Sequence, residues 1–446
     1  MIDENSNGGH RTDYPVDHDR RNHDIVFRPD PSRVVLRPFT PSDNPFPTPD
    51  MPGPRTMRLV ERIRALDAAT TAVELQRLVR RLSDRHGDIE HLLARRFYEA
   101  VAPSPDDEPM SDDQVRLIGG YLMEEYAVEA AALFNPSIVP HHDQSGLPRG
   151  ALRVLLSLRA VGEGHVSSIV FRVGVVHRDG EIRFERPARH LVSPRATWIP
   201  GGAADDPGVR VDCGPDRDLS SLVLFPFADR HRRGLEDLRL TRFVEDDGAV
   251  TYIGTYTGVG SEAIRQELLR TTDFRTFDLV SLQGNYAATK GMALFPRRIR
   301  GYFAMLGRQD HENIWLLTSN DLYRWDSGGV IIRPRWPWEF VQLGVCSPPI
   351  EIDEGWLIIT HGVGPIRSYC LGACLLDKAD PSKLIARTPH PILVPGGEMR
   401  DGYVPNVVYS CGALVHGNRL ILPHGVADSY VTMMVMTVSD LLGRME

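Results

Sequence analysis

Thr271-Thr272-Asp273-Phe274-Arg275-Thr276-Phe277-Asp278 returns 48 positions later as Ser319-Asn320-Asp321-Leu322-Tyr323-Arg324-Trp325-Asp326. A period of this length, with several antiparallel strands per unit, is the signature of propeller blades. An aromatic in each copy is expected to fill the space between neighbouring units. From Phe134 onward the chain breaks into short runs rich in Val, Ile, Tyr and Leu, such as Leu152 to Leu158, Ser167 to Val176 and Trp356 to Thr360, punctuated by Gly, Pro and Asp. No helices alternate with these runs, which argues against a parallel α/β sheet. The remaining length accommodates roughly five or six units of this period.

Upstream the pattern differs. Residues 1–54 are rich in Pro, Asp, Arg and Asn and read as a largely disordered or extended arm, with Val34-Val35-Leu36 as one short pairing strand. Residues 55–130 carry helical spacing: Met57, Leu59, Val60, Ile63 and Leu66; Val73, Leu75, Leu78, Val79 and Leu82; Ile89, Leu92, Leu93, Phe97 and Tyr98. A fourth helix is expected from Ser111 through Leu117, Tyr121, Leu122 and Tyr126, with Asp112 and Asp113 at its positive end. This helical appendage carries no chemistry and suits packing or homo-oligomerisation. Residues 131–446 form the candidate catalytic domain.

The formal net charge of −8 lacks the clustered Lys/Arg footprint of nucleic-acid or anionic-membrane binding. No run is long and apolar enough to span a bilayer, and the amino terminus is not signal-like. The five cysteines, an odd number without paired metal spacing, read as buried small residues in a reducing cytoplasm. The histidines do not fall at metal-ligand spacing, so neither a metal nor a cofactor is expected. The Gly-x-Ser-x-Gly elbow of one class of Ser/His/Asp hydrolases is missing.

The chemistry-bearing positions recur beside Gly or Pro, once per unit. Glu236-Asp237-Leu238-Arg239 precedes the alternating run Val250 to Tyr256. Asn135 precedes a Pro, Arg159 ends an apolar run, and Ser168 follows Gly162-Glu163-Gly164-His165. Lys290 leads into Gly291 to Pro296, His361 lies in Thr360-His361-Gly362, Tyr403 and Asn406 flank Pro405, and Asp428 follows Gly425-Val426-Ala427. Carboxylates, basic groups and amides gathered in one ring suit a sugar: carboxylates accept hydrogen bonds from hydroxyls, and one of them delivers a proton to a leaving oxygen.

Asn135-Pro136-Ser137, Glu236-Asp237-Leu238-Arg239, Lys290 to Pro296, Trp338 to Ile350, Glu354 to Val363, Leu371 to Asp377 and Val404 to Gly412 together resemble glycoside hydrolase family 130, a family of β-mannoside phosphorylases and β-mannosidases. The resemblance runs in order over about residues 130 to 442. It implies an all-β, five-bladed β-propeller and inverting cleavage of a β-mannosidic bond. Asp237 would be the general acid, acting through a hydroxyl of the bound mannose. Asn135, Arg159, Ser168, Glu236, Arg239, Asn406 and Asp428 would hold the sugar. Lys290, His361, Tyr369 and Tyr403 would hold inorganic phosphate as co-substrate, and a β-mannooligosaccharide would be the other partner.

One departure bears on the attacker. Where phosphorylases of that family commonly read Lys-Ile-Gly, this chain reads Gln342-Leu343-Gly344, one cation fewer for a dianion. An inverting mannosidase would use water and a carboxylate base, for which Glu351 or Glu339 are the candidates. A non-catalytic sugar-binding propeller is the remaining reading. Phosphorolysis giving α-mannose 1-phosphate is the expectation.

Overall fold

The computed structural model describes residues 25–43, 54–103, 108–188, 190–192, 194–203, 206–214, 218–261 and 263–446. Most of the expected disordered arm lies outside these residues. Where the arm is described it does form a strand, Val34–Pro38.

Helices α1 (Arg55–Arg64), α2 (Ala68–Leu82), α3 (Ile89–Val101) and α4 (Asp112–Tyr121) follow the apolar spacing. Asp67 caps α2 by accepting from the Thr70 N–H, and Ser111 and Gln114 form a capping box at the start of α4. Val60, Ile63, Phe97, Leu117 and Ile118 close a small core between them. The fourth helix stops five residues short of the expected end. Tyr126 lies instead in the strand Met123–Ala127, opposite Val35. Tertiary packing decides this: the Tyr126 ring sits edge-on to Phe225 at 5.1 Å, Arg37 lies 4.1 Å over it, and its hydroxyl donates to the Glu163 carbonyl.

Strands begin in earnest at Ala132 and fall into successive antiparallel units. The first contains Ala132–Pro140, Leu152–Val161 and Ser167–Val176; the second, Gly234–Val244, Val250–Val259, Ile264–Thr271 and Thr276–Ser281. A parallel bridge, Gly234↔Ser167, fuses these two into one sheet. Gly234 adopts φ +141°, and a Cβ there would lie 2.8 Å from the Ser167 nitrogen, so only glycine lets the two backbones meet. Further units are Ala293–Ile332, Gln342–Arg387 and Val408–Thr437. Phe277 and Trp325, equivalent aromatics of the 48-residue repeat, are both fully buried, in different apolar clusters.

The last unit returns to the first. The Cys411 N–H donates to the Pro136 carbonyl (2.8 Å), and the Leu133 N–H to the Ser429 carbonyl (3.1 Å). The amino-terminal arm joins the same seam: Phe27 and Val431 exchange both backbone hydrogen bonds, at 2.8 and 2.9 Å. Arg33 reaches inward to Glu129, which also accepts from Arg172, and all three side chains are buried.

The stretch from Glu181 to Asp218 contains the antiparallel pair Arg195–Ala203 and Asp206–Asp212. It extends the second unit through pairing with Thr276–Leu279. Only its inner strand alternates, burying Val209 and Val211 while Arg210 and Asp212 stay exposed, and Trp198 on the outer strand is 62% exposed.

Candidate active site

Two bulges build the centre of the site. In the first unit Phe134 pairs with Arg159 and Ser137 with Ser157, so Asn135 and Pro136 oppose a single residue. In the second, Glu236 pairs with Thr257 and Arg239 with Thr255, leaving Asp237 and Leu238 in the same predicament. Asn135 and Asp237 take φ +47° and +56°, a conformation Asn and Asp tolerate best among non-glycine residues. Leu240 N–H donates to Ser137 Oγ and ties the bulges together.

The bulges open into a cavity of about 280 Å³ lined by Asn135, Arg159, Glu236, Asp237, Lys290, Arg308, Gln342, His361, Arg367, Tyr369, Val404, Val407, Tyr409 and Asp428. Each of the antiparallel units named above, with its connecting loops, contributes. Asn135 Nδ2 donates to Asp237 Oδ1 at 2.6 Å; Arg159 spans Asp237 (3.2 Å) and Glu236 (2.6 Å), and its Nε donates to Ser167 Oγ.

The three carboxyls are driven apart. Burial pushes Asp237 up, but the cations of Arg159, Arg239 and Lys290 and the Asn135 bond outweigh it and leave it below the usual range. Burial raises Glu236 despite Arg159. Asp428, half-buried, loses solvation and faces the charge of Asp237, and is pushed up to about 7. Carboxyls of contrasting proton affinity in one cavity are the arrangement acid–base chemistry uses.

Opposite them lies a wall of donors and cations. His361 is held far below its usual value by burial and by Arg308 and Arg239, so it is neutral, and its Nε2 accepts from the Gln342 amide at 2.9 Å. Gly344 faces it in register; a Cβ there would approach the imidazole to 2.5 Å. Arg308 leaves a buried Nε without a hydrogen-bond partner.

Of the residues singled out in sequence, Asn135, Arg159, Glu236, Asp237, Asp428, Lys290, His361 and Tyr369 meet here. Four do not line the cavity. Ser168 is fully buried on the opposite face of its strand, and its neighbour Ser167 is the serine that meets Arg159. Arg239 lies behind the wall, donating to the Asp237 carbonyl and the Tyr409 hydroxyl. Tyr403 is 46% exposed and bonds His165 Nδ1, because Tyr403 N–H is anchored on Ser429. Asn406 faces Arg400, while its carbonyl accepts from Tyr369 N–H. Glu351 pairs with Arg297 and Lys378, and Glu339 with Arg387; neither lines the cavity. Arg308, Arg367 and Tyr409 were not among the singled-out residues. Arg308 follows Gly307 at a strand end and Arg367 lies two residues after Pro365, so the rule of polar residues beside Gly or Pro reaches both.

Among the described residues no cluster of His, Cys, Asp and Glu could hold a metal, and no helix is long and apolar enough to cross a membrane. All five cysteines are free and buried.

A mostly β chain with carboxylates facing cations across one polar cavity has the make-up of a carbohydrate-active enzyme, and comparison with known proteins agrees. The family model described as β-1,4-mannooligosaccharide phosphorylase matches residues 220–446, and this chain belongs to that family, glycoside hydrolase family 130. A 1,2-β-oligomannan phosphorylase of Thermoanaerobacter sp. is 35% identical over 229 residues, covering 50% of this chain and 75% of that protein. A β-1,2-mannobiose phosphorylase of Listeria innocua is 32% identical over 233 residues, with 50% and 63% covered. The crystal structure of a putative glycoside hydrolase from Bacteroides ovatus shares the fold, with TM-score 0.51 and 20% identity over 72% of this chain and 90% of that one.

Proposed function

We propose that this chain is an inverting β-mannoside phosphorylase built on a five-bladed β-propeller, with inorganic phosphate as co-substrate. Five antiparallel units that close first on last, and a cavity drawing on each, support the ring. The helical segment 55–130 lies outside that ring, and its proposed role is self-association. A cytoplasmic location fits the free, buried cysteines.

The observation that carries the reading is the wall formed by Lys290, Arg308, Gln342, His361, Arg367 and Tyr369 facing Asp237 and Asp428. Mannose sits between Asn135, Arg159, Glu236 and Asp428, whose carboxylates and amide take its hydroxyls. Phosphate sits on the cationic wall, where Arg308 and Arg367 supply the charge that Gln342 lacks. A phosphate oxygen attacks C1 from the face opposite the glycosidic oxygen; the C1–O bond to the leaving sugar breaks, and α-mannose 1-phosphate forms. The proton reaches the leaving oxygen from Asp237 by way of a mannose hydroxyl.

The cations around Asp237 hold its proton affinity low, so the proton it delivers is taken up together with the ligands. Phosphate lodged among the same cations offsets the field that depresses Asp237, coupling proton uptake to co-substrate binding. Hydrolysis is the second reading. The two carboxylates singled out as its base, Glu351 and Glu339, are committed to ion pairs elsewhere.

Incubating the protein with β-1,2- and β-1,4-mannooligosaccharides, with and without phosphate, decides between them. Mannose 1-phosphate formed only with phosphate is the expected result. Release of free mannose at the same rate in its absence rejects phosphorolysis.

A further inference from the structure

Two hairpins at the cavity end of the fold turn along the same five-residue path. One is Gly162-Glu163-Gly164-His165-Val166; the other is Gly364-Pro365-Ile366-Arg367-Ser368. Their first residues have φ/ψ of −97/−161° and −107/−159°, their third 64/16° and 51/29°, and their fifth −80/126° and −74/120°. The fourth residues, His165 and Arg367, are left-handed as well, at φ +59° and +57°.

The third position separates them. Gly164 accepts the left-handed backbone freely, and a Cβ there would meet nothing within 4 Å, so a side chain at this place points into open space. Ile366 stands at the equivalent place, β-branched and therefore among the residues least suited to positive φ. It is 79% exposed, so burial within the protein does not offset that strain. Its neighbour Arg367 lines the cavity, as does Tyr369 two residues further. Strained positions of this kind cluster where a ligand is gripped.

The cavity, at about 280 Å³, lies at the small end of the range for ligand sites and accommodates one sugar with an anion rather than a sugar chain. A second sugar has to lie over the rim. We infer that Ile366 is a specificity-determining contact for that second sugar, its exposed methyl groups resting on the apolar C–H face of the leaving pyranose beside Arg367. This rests on the β-mannoside reading above but not on whether phosphate or water attacks.

The test compares mannose with β-1,2- and β-1,4-mannobiose by titration calorimetry on the intact protein and on Ile366→Gly. Mannose affinity should be unchanged, while the disaccharide's advantage over mannose should shrink about fivefold to tenfold, the scale of one lost apolar contact. The melting temperature should hold or rise, since glycine relieves the backbone. Ile366→Asn, which also suits a left-handed backbone, should reproduce the loss of disaccharide affinity. An unchanged disaccharide-to-mannose ratio in both variants, or a wild type that binds the disaccharide no better than mannose, overturns the inference. The phosphate-dependence assay is read separately; for a wild type that hydrolyses, the same ratio is read with and without Ile366→Gly in an Asp237→Asn background that does not turn the disaccharide over.

Discussion

Asn135 donates a 2.6 Å hydrogen bond to Asp237 across the seam between two strand units, and both residues stand at bulges of the same form. Each bulge aims a short polar side chain at the other, so the amide fixes one carboxylate oxygen and leaves the second for a ligand. Asp237→Asn keeps this shape and removes the titratable group. Turnover should fall by about 10²- to 10⁴-fold with an unchanged circular dichroism spectrum. Activity near wild type in that variant would remove Asp237 from the acid role.

Gln342 and Arg308 set the charge of the anion wall from two different units. Arg308→Gln should raise the KM for phosphate roughly tenfold or more, the scale of one lost charge-assisted hydrogen bond, while the KM for the mannoside moves little. Gln342→Lys should lower the phosphate KM. Steady-state kinetics varying each substrate in turn checks both, and an equal effect on the two KM values in Arg308→Gln would count against a dedicated anion site.

The raised carboxyl of Asp428 makes a pH prediction for stability. Its folded value of about 7 lies above the 3.8 of an unperturbed Asp, so the folded protein binds the proton more tightly than the unfolded chain does. The stability it contributes is full below about 4 and is lost as pH rises through about 7. Asp428→Asn removes this dependence. Its melting temperature relative to wild type should therefore be higher at pH 8 than at pH 4.5, while mannose binding weakens. A difference that stays constant across that range would show that Asp428 is not perturbed.

Glu129 accepts from both Arg33 and Arg172 in a buried triad that ties the arm to the first unit. Glu129→Ala strands two buried guanidinium groups and should cost about 3 kcal/mol or more by denaturant unfolding. The phosphate KM should not change. A cost below about 1 kcal/mol would mean that the arginines find water on their own.

Much of this was legible because local rules and tertiary packing agree. Helical spacing located α1 to α4, since each buries one apolar stripe. Asn135 and Asp237 were singled out by their motifs, but the bulges and left-handed backbone that aim them at each other show only in the structure. The misreadings came where one register step or one contact decides. Ser168 and Ser167 differ only in which face of the strand they occupy. Tyr126 keeps a helical spacing but pairs as a strand, its ring held edge-on by Phe225 and covered by Arg37. Arg308 follows Gly307 and so fits the rule of polar residues beside Gly, but it lies in none of the matching motifs, and its place opposite Gln342 and His361 is set by a neighbouring unit. Tyr403 lay beside the right loop, yet its backbone anchor on Ser429 turns the phenol toward His165.

The short pairing of Phe27 with Val431 also protects the molecule from itself. The strand Tyr430–Thr437 pairs with Arg419–Val426 along one side, and the arm occupies part of the other. Stripped of its first thirty or so residues, the chain would present unsatisfied amide and carbonyl groups at that border, an invitation for one molecule to stitch onto the next.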